Sequence, residues 1–276
     1  MSLGIAFKGP EGIVLAADSR VTLTAEIRQG KEKSLIPATY DNATKLLQFS
    51  GYTDCTDIGV VTYGIGAIGQ QEPRTAHSFL PELQKELLKD NGKWNSVEDF
   101  AIKFSKFFME RWKNQMPTPY SGVDMVFLIG GFDKGEPYGK VYQANIPSNP
   151  TPKEQISGQF GISWGGQLEC ITRLMKGFDP RLPGLIQSFL GLTDEKRIAL
   201  QEFLEGNLST AIPYPFLPLQ DCVNLSIYLI RTTMELQNWI VGVRGVGGAI
   251  DVATITRTDG YKSVQQKMIV GQKNIL

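Results

Sequence analysis

Histidine is almost missing from this chain: His77 is the one imidazole in 276 residues. Multi-histidine metal sites are thereby excluded, and a serine–histidine–aspartate triad would have to be built on that residue. Cysteine is scarce too. Cys55, Cys170 and Cys222 are odd in number, widely spaced and contain no CxxC pair. That pattern argues against a disulfide framework and for a reducing, cytoplasmic setting. Neither sign of charge is in excess, with 28 Lys plus Arg against 28 Asp plus Glu. No global field therefore draws the chain to nucleic acid or to an anionic membrane. No apolar run reaches the ~18 residues that a membrane helix needs. The opening Met1-Ser2-Leu3-Gly4-Ile5 has no basic stretch followed by an apolar one, so no secretory leader is expected. No P-loop sequence is present, which disfavours a doubly wound nucleotide fold of the phosphate-loop kind.

What remains is a chain that is 42% apolar, enough for a sizeable core. Leu3 to Phe7 and Ile13 to Ala17 are apolar runs joined by Gly9-Pro10-Glu11-Gly12, a hairpin expected to be covered on both faces. A polar stretch from Thr24 to Thr44 follows. Lys45 to Phe49 and Ile58 to Ile68 read as strands, the second broken by Gly64 and Gly66. Glu72 to Asp90 carries apolar residues at helical spacing. Asn95-Ser96-Val97-Glu98 opens a second helix whose apolar face is Phe100, Ala101, Phe104, Phe107, Phe108 and Trp112. Strands return at Val123 to Gly130, at Lys140 to Ala144 and, more weakly, at Ser157 to Ser163. Helices are expected from Gln167 to Met175, from Thr193 to Glu205 and from Cys222 to Gln237. Ile250 to Thr256 and Tyr261 to Val270 close the chain as a hairpin. The order, with hairpin-linked strands and paired helices, predicts a layered α+β domain spanning residues 1–276. The five-proline segment 179–219 is too short for its own core and reads as a helical insertion within that domain.

Three residues stand out chemically. Ser2 becomes a combined nucleophile and base if Met1 is removed, because its α-amine, with an ordinary pKa of ~7.7–8.0, can take the proton of its own hydroxyl. The bland alternative is an ordinary Met-Ser start. Asp18 ends a buried run and Lys45 begins another; a buried carboxylate needs a partner, and a lysine beside it stays charged. The ammonium of such a pair would stabilise an alkoxide or hold an adjacent amine neutral; the alternatives are a structural ion pair, or two residues that never meet. Gly64 and Gly66 offer backbone N–H groups to an oxyanion, or mark strand bulges. Ser19, Arg20, Asp124 and Asp251 read as supporting or structural residues, His77 as a surface residue, and the cysteines lack an adjacent base.

Four stretches in chain order resemble the proteasome β-subunit family of N-terminal-nucleophile hydrolases. They are Gly12-Ile13-Val14-Leu15-Ala16-Ala17-Asp18-Ser19-Arg20-Val21-Thr22, Asn42-Ala43-Thr44-Lys45-Leu46-Leu47-Gln48, Phe127-Leu128-Ile129-Gly130-Gly131-Phe132-Asp133 and Gly247-Gly248-Ala249-Ile250-Asp251 running on to Tyr261. The family's nucleophile stands sixteen residues before the matched aspartate, a position occupied here by Ser2. The resemblance implies a four-layer αββα sandwich, Ser2 as nucleophile, Lys45 as the group tuning its amine, Asp18 as partner of Lys45, and a backbone N–H near Gly64 as oxyanion donor. It implies amide-bond hydrolysis of polypeptides inside a self-assembled homo-oligomeric ring, without metal or organic cofactor, with a regulatory ATPase as a further partner. The alternatives are a catalytically silent ring-forming scaffold of the same fold, and an amidase or transpeptidase for small substrates. The chain departs from the family in using serine for threonine and in a longer connection between Asp18 and Lys45. Trp164-Gly165-Gly166-Gln167 stands at a turn that is usually serine-rich. Asn238 and Val246 lie nearest the two later supporting positions.

Overall fold

The computed structural model describes residues 2–29, 32–50, 57–69, 72–89 and 96–269. Met1, Cys55, Asp90, Asn95 and Val270, which the readings above touch, lie outside them. The first hairpin is as expected: β1 (Leu3–Lys8) and β2 (Ile13–Asp18) are buried at every position, and the Gly9 N–H donates to the Gly12 carbonyl at 2.9 Å. These strands sit in the middle of a five-stranded antiparallel sheet of order β10-β1-β2-β11-β12, flanked by β10 (Gly161–Gly166), β11 (Ile250–Thr256) and β12 (Gly260–Gln265). A second antiparallel sheet runs β5-β6-β7-β8-β9, from β5 (Leu46–Phe49) and β6 (Ile58–Gly64) through β7 (Met125–Gly131) and β8 (Lys140–Ile146) to β9 (Asn149–Gln155).

The strand period of two sorts side chains into separate cores. Leu3, Ile5, Phe7, Val14 and Ala16 face one way, toward Ile171 of α3 (Leu168–Lys176) and Leu229 and Ile230 of α6 (Leu219–Asn238). Ala6, Ile13, Leu15 and Ala17 face the other way and pack with Val61, Leu128 and Val141 of the second sheet. The far side of that sheet is covered by α1 (Leu80–Lys89) and α2 (Val97–Gln115). Every residue expected on the apolar face of α2 is buried there, and Phe104 packs edge-on to Phe127 with ring centroids 4.9 Å apart. Ser96 caps this helix, its hydroxyl accepting from the Asp99 N–H at 3.0 Å.

Several elements differ from expectation. The stretch read as polar forms a two-stranded ribbon, β3 (Val21–Gln29) with β4 (Glu32–Tyr40), paired from Val21↔Tyr40 to Gln29↔Glu32. Strand β9 was not among the expected strands; its Pro150 and Pro152 are tolerated because β9 is the sheet's edge. The helical signal from Glu72 resolves into a 3₁₀ turn at Ala76–Phe79 followed by α1. Segment 179–219 holds two helices rather than one, α4 (Leu182–Leu190) and α5 (Asp194–Leu208); Thr193 caps the second. Among the described residues, no helix is long and apolar enough to cross a membrane.

Candidate active site

Ser2 lies just ahead of β1 and is buried, at 4% exposure. It is held from both sides. Its carbonyl accepts the Gln167 N–H at 2.9 Å, and the N–H of the next residue, Leu3, donates to Asp18 Oδ1 at 2.9 Å. The Ser2 hydroxyl makes only a long 3.5 Å contact to the Arg20 carbonyl, so its proton is barely engaged. Asp18, fully buried at the end of β2, gathers four donors. Oδ1 accepts from Leu3 N–H and from Lys45 Nζ at 2.7 Å; Oδ2 accepts the N–H groups of Arg20 at 3.1 Å and Gly247 at 3.0 Å. These four donors satisfy both carboxylate oxygens without help from water.

Lys45 is buried as well, immediately before β5, and its carbonyl is pinned by the Thr62 N–H of β6 at 3.0 Å. Burial pulls its pKa down from the usual lysine range, and Asp18 opposes that by charge and hydrogen bond. A second ion pair, Lys267 with Asp251, acts on it from the neighbouring strand. Ser2, Lys45, Thr62 and Gly64 together wall a cavity of about 20 Å³, room for roughly one water molecule.

Gly64, which lines this cavity, and Gly166, against the Ser2 carbonyl, both sit close to neighbouring backbone. Gly64 has φ +90, and a Cβ there would fall 2.0 Å from the Asp124 carbonyl oxygen. Gly166 has φ +101, and a Cβ there would fall 1.8 Å from the Ser2 carbonyl oxygen. The last residue of β10 can therefore close on Ser2 only as glycine.

Asp18, Lys45, Ser2 and Gly64 are thus brought together, while Asn238 stands apart: it is exposed at the end of α6, its carbonyl accepting from Arg244 at 3.4 Å. The inward-facing residue at that helix end is Gln237, which accepts the Val246 N–H at 3.0 Å. Ser19 and Arg20 are structural supports. The Ser19 hydroxyl donates to the Ala249 carbonyl, and Arg20 grips Asp41 with two bonds of 2.6 and 2.7 Å. Asp251 pairs with Lys267 and His77 is exposed. Cys170 and Cys222 are buried free thiols, and burial pushes Cys222 up to about 11, which disarms it as a nucleophile. Among the described residues, no group of three His, Cys, Asp or Glu side chains is placed to hold a metal.

Sequence reading passed over Gln167, whose side-chain Oε1 is buried without a hydrogen-bond partner on the residue whose backbone holds Ser2. Lys267 and Asp41 were also missed. Asp41 carried a signal, standing four residues before Lys45 at the close of the ribbon.

The sequence matches no protein-family model and no curated protein. Solved structures are more informative. Similar ones include an Anbu Gly-1 mutant from Hyphomicrobium sp. strain MC1, with 13% identity and TM-score 0.56 over 97% of this chain and 86% of that one. Anbu, described as an ancestral beta-subunit, from Yersinia bercovieri gives 14% identity and TM-score 0.56 over 96% and 87%. The Anbu complex from Pseudomonas aeruginosa, solved as a helical assembly, gives 15% identity and TM-score 0.56 over 96% and 88%. The chain shares the fold of these Anbu structures. At this identity the likeness is one of fold.

Proposed function

We propose that the chain is an amide-bond hydrolase whose nucleophile is the hydroxyl of Ser2, exposed as an N-terminal residue once Met1 is cleaved. The observation that carries this reading is the buried Lys45–Asp18 pair beside the cavity that Ser2 lines. A cation at that place discourages protonation of a nearby amine and so keeps the Ser2 α-amine in its basic form near neutral pH. The amine then takes the hydroxyl proton, directly or through a water in the cavity, as Oγ attacks the carbonyl carbon of an amide. The carbonyl π electrons move to oxygen, where the Gly64 backbone is the proposed oxyanion support. Collapse of that intermediate breaks the C–N bond, the protonated amine supplies the leaving nitrogen's proton, and an acyl-enzyme remains. Water, deprotonated by the same amine, releases the acid and restores Ser2. These steps require neither metal nor organic cofactor.

The three apolar clusters, one between the sheets and one outside each, support a four-layer αββα arrangement with 179–219 as an insertion. Self-assembly into a ring or a related homo-oligomer, acting on polypeptides in the cytoplasm, is the matching biological form. It is supported by the helical assembly of the Anbu relative and by the exposed Leu185, Phe189 and Phe203 on α4 and α5. A regulatory ATPase is a further proposed partner. The alternative, a silent scaffold, draws on Asn238 being exposed and on Val246 offering no polar group. One experiment separates the two: incubation with a peptidyl β-lactone or boronate, then intact-mass and peptide mapping. Acylation at Ser2 of a chain lacking Met1 is the expected result. A chain retaining Met1 and unmodified by the inhibitor would favour the scaffold.

A further inference from the structure

A cavity of about 530 Å³ opens at the opposite end of β1, roughly 20 Å along the strand from Ser2. Three loops that are distant in sequence converge on it. Tyr138 comes from the β7–β8 connection, Gln159 and Phe160 from the β9–β10 connection, and Tyr214 from the 3₁₀ turn before α6. Its walls are aromatic: Tyr138 and Phe160 meet edge to face with centroids 4.9 Å apart, and Tyr214 rests on Phe7 at 5.7 Å. The volume is that of a pocket for a small organic ligand.

Lys8 belongs to this cavity and is 5% exposed. Its ammonium donates to the Ile156 carbonyl at 3.1 Å, and among the described residues no carboxylate meets it at ion-pair distance. Burial lowers its pKa below the usual lysine range, and Glu154 of β9 and Lys140 of β8, in the other sheet, act on it from further off with opposite effects. A buried ammonium satisfied by one neutral acceptor is an expensive arrangement that a bound anion would relieve. The acceptor is itself held unusually, since Ile156, a β-branched residue, sits at φ 57 in the left-handed region. Backbone held in that region concentrates at ligand-binding places.

We propose that this cavity binds a small flat aromatic monocarboxylate, its ring against Tyr138, Phe160 and Tyr214 and its carboxylate on Lys8 Nζ. One cation among the described lining residues fits one negative charge rather than a polyphosphate. The site shares no residue with the Ser2 cavity, so its occupancy does not depend on the reading of that centre.

Calorimetric titration of the full chain with 2-naphthoate, and with its uncharged isostere 2-naphthamide, tests the proposal. Expected is saturable binding of one naphthoate per chain, with the amide about tenfold weaker or worse. Lys8→Met should bring the two ligands to equal affinity, and Tyr138→Ala, at a half-exposed position, should weaken both. The comparison of ligands on the unaltered protein decides the matter even where Lys8→Met does not fold. Equal affinities on the unaltered chain, no saturable naphthoate binding, or binding untouched by Tyr138→Ala would each overturn it.

Discussion

At the scale of single residues, the consequential feature is a carboxylate with no spare capacity. Asp18 ties the residue after the proposed nucleophile to the cation beside it through one oxygen, Oδ1. Replacing Asp18 with Ala strands Lys45 as an unpaired buried charge, and a loss of about 3–5 kcal/mol in stability is expected by chemical denaturation. Ser2→Ala should leave the fold intact and reduce turnover of a fluorogenic peptide amide by roughly three orders of magnitude or more, whereas Ser2→Thr should retain activity. The pH profile gives a separate readout. Near Lys45 the basic form of the Ser2 amine is favoured, so kcat/KM should rise with pH along a limb below the ordinary ~7.7–8.0 of an α-amine. Lys45→Met removes a positive charge and leaves Asp18 negative. Both changes favour the protonated amine, so the limb should move to higher pH. A profile that stays in place would detach Lys45 from the chemistry.

At the scale of elements, the site depends on turns closing tightly. Gly166→Ala sets a Cβ against the Ser2 carbonyl, and the end of β10 must move away. We expect activity to be lost, with destabilisation of about 1–3 kcal/mol. The ribbon's closing residue gives a pH test of stability. The hydrogen bonds from Arg20 hold the Asp41 carboxyl below the usual range. A carboxyl lowered on folding contributes stability above its unfolded pKa of ~3.9 and loses it as pH falls further, through the folded value. Asp41→Asn should therefore lower Tm modestly at pH 7, where that contribution is complete, and the difference from the unaltered chain should shrink as pH falls below ~4, as read from Tm against pH.

The elements also show what a sequence can disclose. β1, β2 and α2 were legible because continuous burial and a 3.6-residue period leave strong patterns. β3 and β4 were not, because Thr, Glu, Lys and Arg dilute an alternation of Val21, Leu23, Ala25 and Ile27. The Asp18–Lys45 pairing was raised by the ends of two apolar runs and by the resemblance, but at a separation of 27 residues no local period joins the two. Gln167 escaped notice for a related reason. A single amide after two glycines has no pattern, and its position on Ser2 exists only after β10 pairs with β1, placing Leu3 opposite Gly166.

At the scale of the molecule, the two ends of β1 carry the two proposed sites, and the helices of residues 179–219 carry several exposed apolar side chains. α5 has no buried residue among those described, yet Phe189 and Phe203 are 87% and 65% exposed. If these side chains meet a second copy, as proposed, Phe189→Glu with Phe203→Glu should reduce the sedimenting species to smaller ones in analytical ultracentrifugation. The thermal unfolding of the isolated chain should barely change.

The four donors on Asp18 come from the N-terminus, the β2–β3 turn, the approach to β5 and the loop before β11, which together span nearly the whole polypeptide. No fragment, and no partly folded chain missing any of those segments, can complete the arrangement. On the proposed function, activity during synthesis therefore arises only once the last strands dock. In refolding experiments, recovery of catalysis should track the slowest phase rather than the early return of helical signal.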